Sequence, residues 1–131
     1  MFGELPFFIA ALFIFFHAIV LAKLAVEKHE REMEFSDKGI AELDEIHGLI
    51  TAKVEDTVHL ISEKDGFRIE KIHAHEEAID AKVCEARGRI LERFRRRIYR
   101  AEAGPIFLEM LINLERISDH CQNIAECVKA P

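Results

Sequence analysis

The sequence predicts an all-α protein, an antiparallel three-helix bundle preceded by one hydrophobic, membrane-spanning helix. Two observations lead there. Apolar side chains recur in steps of three and four over long stretches, and no stretch alternates in the manner of a strand. Proline is absent between Pro6 and Pro105, so no proline breaks the intervening periodic segments. With 131 residues, the chain has room for one domain and an appendage. We divide it into a hydrophobic helix with its juxtamembrane linker at 1–32 and a helical bundle at 33–131.

The first element is a greasy head. Six of the ten phenylalanines fall within the first sixteen positions, and Glu4 and Lys23 are the only charged residues among the first 26. From Leu5 to Ala22 the chain reads LPFFIAALFIFFHAIVLA without a formal charge, and Lys23–Val26 extend it by a lysine able to snorkel. A bilayer core of about 30 Å needs roughly 20 apolar residues as helix, and Pro6 sits where a helix start tolerates proline. A secretory signal would bring a basic leader and a small-residue cleavage site, and neither stands out. A buried core helix and a soluble oligomerisation arm are the other readings, since His17 is polar and the run is near the minimum length. We read a membrane span. Lys23, Lys28 and Arg31 flank its C-terminal side with no basic residue before it, which places the body in the cytoplasm at the plasma (inner) membrane. His17 reads as a residue facing a neighbouring helix.

The body carries the whole net charge of −6. Such an acidic balance argues against general nucleic-acid binding, which needs a basic footprint. Three cysteines, Cys84, Cys121 and Cys127, are odd in number and form no CxxC, so they read as reduced thiols of a cytosolic protein.

Three long helices follow. Residues 33–64 place Leu43, Ile46, Ile50, Val54, Val58 and Ile61 on one stripe. Asp65-Gly66 is the break. A second stripe runs Ile72, Ile79, Val83, Ala86, Ile90 and Phe94. A third runs Phe107, Leu111, Leu114, Ile117, Cys121, Ile124 and Val128, with Gly104-Pro105 at its start. Helices of about 30 residues joined by short turns give a bundle about 45 Å long. Gly39, Gly48 and Gly88 fall inside helices, where each costs about 1 kcal/mol relative to Ala.

Helices two and three of the body share a carboxylate pattern. EEAID places Glu76 and Asp80 four apart, and ERISD does the same for Glu115 and Asp119. Such pairs lie on one helical face, where like charges cost a few tenths of a kcal/mol. A turn centred near residue 99 sets Asp80 level with Asp119 and Glu76 near Asn123. The Asp65-Gly66 turn sets Glu55 level with Glu76. Oxygen ligands converging from several helices suit hard or borderline cations. Geometry alone favours the plainer alternative of two solvated acidic faces.

The run LINLERISDHCQNIAE at 111–126 closely resembles the last helix of PhoU-type phosphate-uptake regulators. It is most similar to the PhoU-like domain at the C-terminus of bacterial sodium/phosphate cotransporters of the type II-related family. The resemblance extends back through EEAID at 76–80 and FSDKGIAEL at 35–43 and covers about residues 33–128. It implies a single three-helix repeat and a regulatory role in sodium-dependent phosphate transport. It also implies metal ligands at Glu76, Asp80, Glu115 and Asp119, with Asn123 and His120 of the matched run as further candidates and divalent or iron ions as the cofactors; Glu55 joins the candidates by its level with Glu76. The chain departs from the family pattern at Arg95–Arg100, where a glycine-containing loop is usual. It also offers one candidate span where a cotransporter needs many, which excludes transport by these residues alone.

Seven arginines lie between Arg87 and Arg100. A solvated helix end is the plain reading. The topology adds a sharper one. If the first bundle helix leaves the membrane, the second returns to it, bringing Arg93, Arg95, Arg96, Arg97 and Arg100 to anionic headgroups at about 1 kcal/mol each. Asp44/His47, Asp56/His59 and Glu70/His73 carry DxxH- or ExxH-like spacing, the basis of a third reading as a ferritin-like dimetal enzyme. No nucleotide-binding loop or nucleophile elbow is recognisable.

The expected function is thus non-enzymatic. A membrane-held PhoU-like domain would act on the membrane transport domain of a phosphate carrier, with the lipid bilayer and a second copy of the chain as further partners. The alternative is an independent metal-binding module for storage or sensing.

Overall fold

A computed structural model describes residues 5–63, 66–96 and 103–129. The described residues form four helices: α1 (Leu5–Glu30), α2 (Asp37–Glu63), α3 (Gly66–Arg95) and α4 (Ala103–Lys129). Of the expected break, Gly66 opens α3 after α2 has ended at Glu63, Asp65 lies outside the described residues, and Pro105 lies in the first turn of α4.

Both ends of the α1–α2 bend are capped. The amide of Met33 donates to the carbonyl of Lys28 at 3.0 Å and that of Glu32 to His29 at 3.2 Å, with Glu32 at φ 52°. This is a Schellman stop with glutamate at the left-handed position usually taken by glycine. Ser36 then opens α2: its Oγ accepts from the amide of Gly39 at 3.0 Å and its carbonyl from that of Ile40 at 2.9 Å. The bend therefore straddles the expected domain boundary at 32/33.

Helices α2, α3 and α4 pack on one another as a three-helix bundle, and α1 packs on α4. On α3, Ile72, Ile79, Val83, Ala86 and Ile90 are buried as the stripe requires. The α2 stripe is different. Ile46 and Ile50 are buried, but Val58 and Ile61 are 58% and 48% exposed, while Lys53, Thr57 and Leu60 point inward. An apolar-only reading follows the wrong face after Ile50, because two polar side chains find hydrogen-bond partners inside the bundle.

Helix α4 is covered on two sides. Phe107, Leu111, Leu114, Ser118, Cys121 and Ala125 are spaced as one stripe, and Ile106, Met110, Ile117 and Ile124 are buried on a second. The second stripe explains where α1 goes. Ala10 and Leu24 are buried, Ile14, Val20 and Leu21 are half-buried, and Leu24 belongs to the same apolar cluster as Ile106, Met110 and Ile117. The direction is antiparallel: Phe13 meets His120 near the start of α1, while Phe35, just past its end, meets the ring of Phe107 edge-on at 5.2 Å. Phe94 and Val128 lie outside the described side chains.

Candidate functional site

One interior layer of the bundle is polar, and each helix contributes one side chain to it. Lys53 of α2 lies in step with Ile46, Ile50 and Thr57; Glu76 of α3 lies in step with Ile72 and Ile79; Ser118 of α4 lies in step with Leu114 and Cys121. The Lys53 side chain is fully buried and pairs with the Glu76 carboxylate, which is 20% exposed. Lys53 Nζ also donates to Ser118 Oγ at 2.8 Å, and the Ser118 hydroxyl donates to Glu76 Oε2 at 3.0 Å. One turn further along α2, Thr57 Oγ1 donates to the Lys53 carbonyl at 2.7 Å. A buried ammonium is tolerated only when a counter-charge and further acceptors satisfy it, and both are present.

Burial works against the Glu76 carboxylate. The hydrogen bond and charge of Lys53, assisted by Ser118 and Asp80, nevertheless hold it below the ordinary carboxylate range. Asp80 and Asp119 lie on the exposed rim of the layer. Asp80 is raised by partial desolvation and then by the negative charges of Glu76, Glu115 and Asp119. Asp119 is raised by partial desolvation and by Glu76, against the opposing charges of Lys53 and Arg116. The four expected carboxylates therefore share one electrostatic neighbourhood across α3 and α4.

They do not form a preformed cation cage. Glu76 turns inward to Lys53, and Glu115 meets Arg87 Nη2 at 3.4 Å across the α3–α4 groove. Among the described residues, no three His, Cys, Asp or Glu side chains stand close enough to hold one metal ion. Glu55, expected level with Glu76, is exposed; the α2 residue that reaches Glu76 is Lys53. Asn123 is also exposed, and Ser118 stands against Glu76 in its place. The Lys53 ammonium supplies the positive charge that a metal would bring to Glu76.

His120 faces α1. Its ring stacks on Phe13 with centroids 5.0 Å apart and lies 5.6 Å from the ring of His17. Desolvation, followed by His17, holds its pKa below the ordinary histidine value. His17 Nδ1 stands 2.9 Å from Asn113 Oδ1, so the neighbouring helix expected for it is α4 of the same chain.

The other histidines are dispersed. Asp56 meets Arg68 at 3.3 Å and His75 at 3.4 Å, and His73 meets Gln122 at 2.5 Å. His47 and His59 are exposed. Cys121 is fully buried and its thiol pKa is pushed up by desolvation, while Cys84 is exposed and both are free. At the end of α3, Arg95 and Arg96 are exposed and bridge Glu92 at 2.9 and 3.0 Å. Arg97 and Arg100 lie outside the described residues.

A family model described as the PhoU domain matches residues 43–128. The chain belongs to the PhoU family. The matched region runs from early α2 to the end of α4, so the domain is the three-helix bundle and its polar layer, with α1 and the bend preceding it. No curated protein and no solved structure matches the chain.

Sequence reading missed Lys53 and Ser118. The available signal was the spacing: Lys53 lies three residues after Ile50, and Glu76 fills the gap between Ile72 and Ile79. A charged residue of each sign occupied an interior step on adjacent helices.

Proposed function

We propose that this PhoU domain is a non-catalytic regulator of sodium-dependent phosphate uptake, held at the cytoplasmic face of the membrane by α1. The observation that carries the reading is the PhoU match over α2–α4, directly preceded by a helix long and apolar enough to cross a bilayer. Within Ile9–Glu30 the most apolar window of 18 residues has a mean hydropathy of 2.4, and 11% of that window is buried. Lys28 and Arg31 at its C-terminal end favour a cytoplasmic bundle. The layer of Lys53, Glu76 and Ser118 keeps three helices in register, so the bundle acts as a rigid docking body for a membrane transport domain. Two measurements test this. The chain should fractionate with membranes, and its deletion should change labelled-phosphate uptake in sodium but not in sodium-free medium. Recovery wholly in the cytosol refutes the tether; unchanged sodium-dependent uptake refutes the regulatory role.

The raised Asp80 and Asp119 carboxylates favour a second reading, in which a divalent or iron ion draws them together with Glu115. Elemental analysis of the purified protein beside Asp80→Asn and Asp119→Asn decides it. Metal lost in both variants supports the site, and a metal-free parent removes it.

A further inference from the structure

Helix α1 satisfies two incompatible environments. Its inner edge, Ala10, Ile14, His17, Leu21 and Leu24, repeats in steps of four and three and lies along α4. The seam includes the His17–Asn113 contact at 2.9 Å and the stacked pair Phe13–His120 at 5.0 Å. Its outer face presents Leu12, Phe15, Phe16 and Ile19 to solvent, exposed by 70%, 72%, 58% and 49%. A contiguous surface of that kind on a soluble body marks a contact with another apolar phase.

The outer face fits lipid: no formal charge falls between Leu5 and Ala22, and Lys23, Lys28 and Arg31 follow. Yet α4, lying beside α1, exposes Glu109, Arg116 and Asp119 over the same length. Those charges cannot follow α1 to bilayer depth. Spanning the membrane therefore requires α1 to leave α4. Among the described residues α4 is the one helix α1 packs against, and α1 is joined to the bundle through the non-helical bend at 31–36. Release breaks one helix–helix seam and changes backbone in one short segment.

We propose that α1 is a releasable latch, docked along α4 when the protein is out of the bilayer and swung out at the 31–36 bend when it spans lipid, the two positions being mutually exclusive. This rests on the membrane reading above. The seam residues hold the docked position: His17 exchanges Asn113 for lipid on release, and Ile106, Met110 and Ile117 lose the cover of α1. Membrane insertion then uncovers a second apolar face on the PhoU bundle.

The test is a reducible clamp across the seam. Phe13→Cys and His120→Cys are introduced into the full chain with Cys84→Ser and Cys127→Ser. The protein is purified in mild detergent and joined by a short reducible thiol-to-thiol cross-linker. It is then reconstituted with vesicles of phosphatidylethanolamine and phosphatidylglycerol. Retention after alkaline carbonate washing reports spanning. The unlinked protein should be retained, the linked protein should be retained about tenfold less, and reduction should restore retention. Equal retention of linked and unlinked protein overturns the latch while leaving the membrane reading intact, as it would mean that α1 enters lipid while docked. Failure of the cross-link to form in detergent also overturns it. A parent protein that is not retained at all sinks the membrane reading, and the latch with it.

Discussion

Lys53 of α2 and Glu76 of α3 form an ion pair inside the bundle, with the lysine side chain fully buried and Ser118 of α4 bonded to both. The pair places opposite charges at interior positions of adjacent helices, so a slip of either helix by one turn would strand an ammonium among aliphatic side chains. Its contribution is to register more than to net stability, because desolvation offsets much of the attraction.

Removing one partner is accordingly expected to be costly. Lys53→Met or Glu76→Leu alone should lower unfolding stability by about 3–5 kcal/mol, the second by leaving the ammonium unpaired. The double replacement should recover most of that loss. Urea titrations of the four proteins in mild detergent give the coupling energy, and additive single effects would contradict the pairing.

The carboxylates set opposite pH trends. Glu76 is depressed on folding, so its stabilisation is present above the ordinary carboxylate range and is lost as pH falls through its lowered folded value. Asp80 and Asp119 are raised, so their contribution is present in acid and lost as pH rises through their raised values. Melting temperature should rise on mild acidification from neutral and fall again once Glu76 protonates. Asp80→Asn should gain roughly 0.2–0.5 kcal/mol at neutral pH, the scale of a relieved like-charge pair four residues apart, and flatten the first limb. An unchanged profile in that variant would remove Asp80 from the cluster.

Backbone substitutions separate the helical glycines. A Cβ at Gly48 or Gly88 meets nothing within 4 Å, whereas one at Gly39 comes within 3.1 Å of both the Phe107 ring and Ser36 Oγ. Gly48→Ala and Gly88→Ala should each stabilise by about 1 kcal/mol. Gly39→Ala should fall well short of that gain. Glu32→Gly, at the left-handed stop of α1, should add about 1 kcal/mol by removing the Cβ penalty. Thermal melts rank the four.

The exposed arginines closing α3 lie at the end of the bundle where α1 bends into α2, since Arg89 meets Glu42 near the start of α2 at 2.5 Å. Their bridges to Glu92 are surface pairs and hold them weakly. Arg95→Gln, Arg96→Gln and Arg97→Gln together should reduce the preference of the full chain for anionic over neutral vesicles by about 1 kcal/mol per charge in low salt. Equal partitioning of parent and triple variant would discard a headgroup contact.

Sequence periodicity was reliable along α3. Ile72, Ile79, Val83, Ala86 and Ile90 are buried in α3 as their steps require. It failed in α2, where Val58 and Ile61 were the apolar choice and Lys53 and Thr57 took the interior. A hydropathy pattern has no means of marking a lysine as internal, because its burial is favourable only with a carboxylate and a hydroxyl supplied by two other helices. Spacing alone left Asp80, Glu115 and Asp119 on two solvated acidic faces, and their shared electrostatic neighbourhood depends on how α3 packs on α4. The inward turn of Glu76 depends on the same packing.

The sequence by itself determined that four helical segments exist, that the last three carry the PhoU pattern, and that the first is greasy enough for a bilayer; all of these are local properties of spacing and hydropathy. Only the tertiary structure decided which side of α2 faces inward, which positive charge meets Glu76, and that α1 lies along α4. Those outcomes depend on groups far apart in the chain arriving together, where desolvation and pairing energies outweigh the preferences of any single helix.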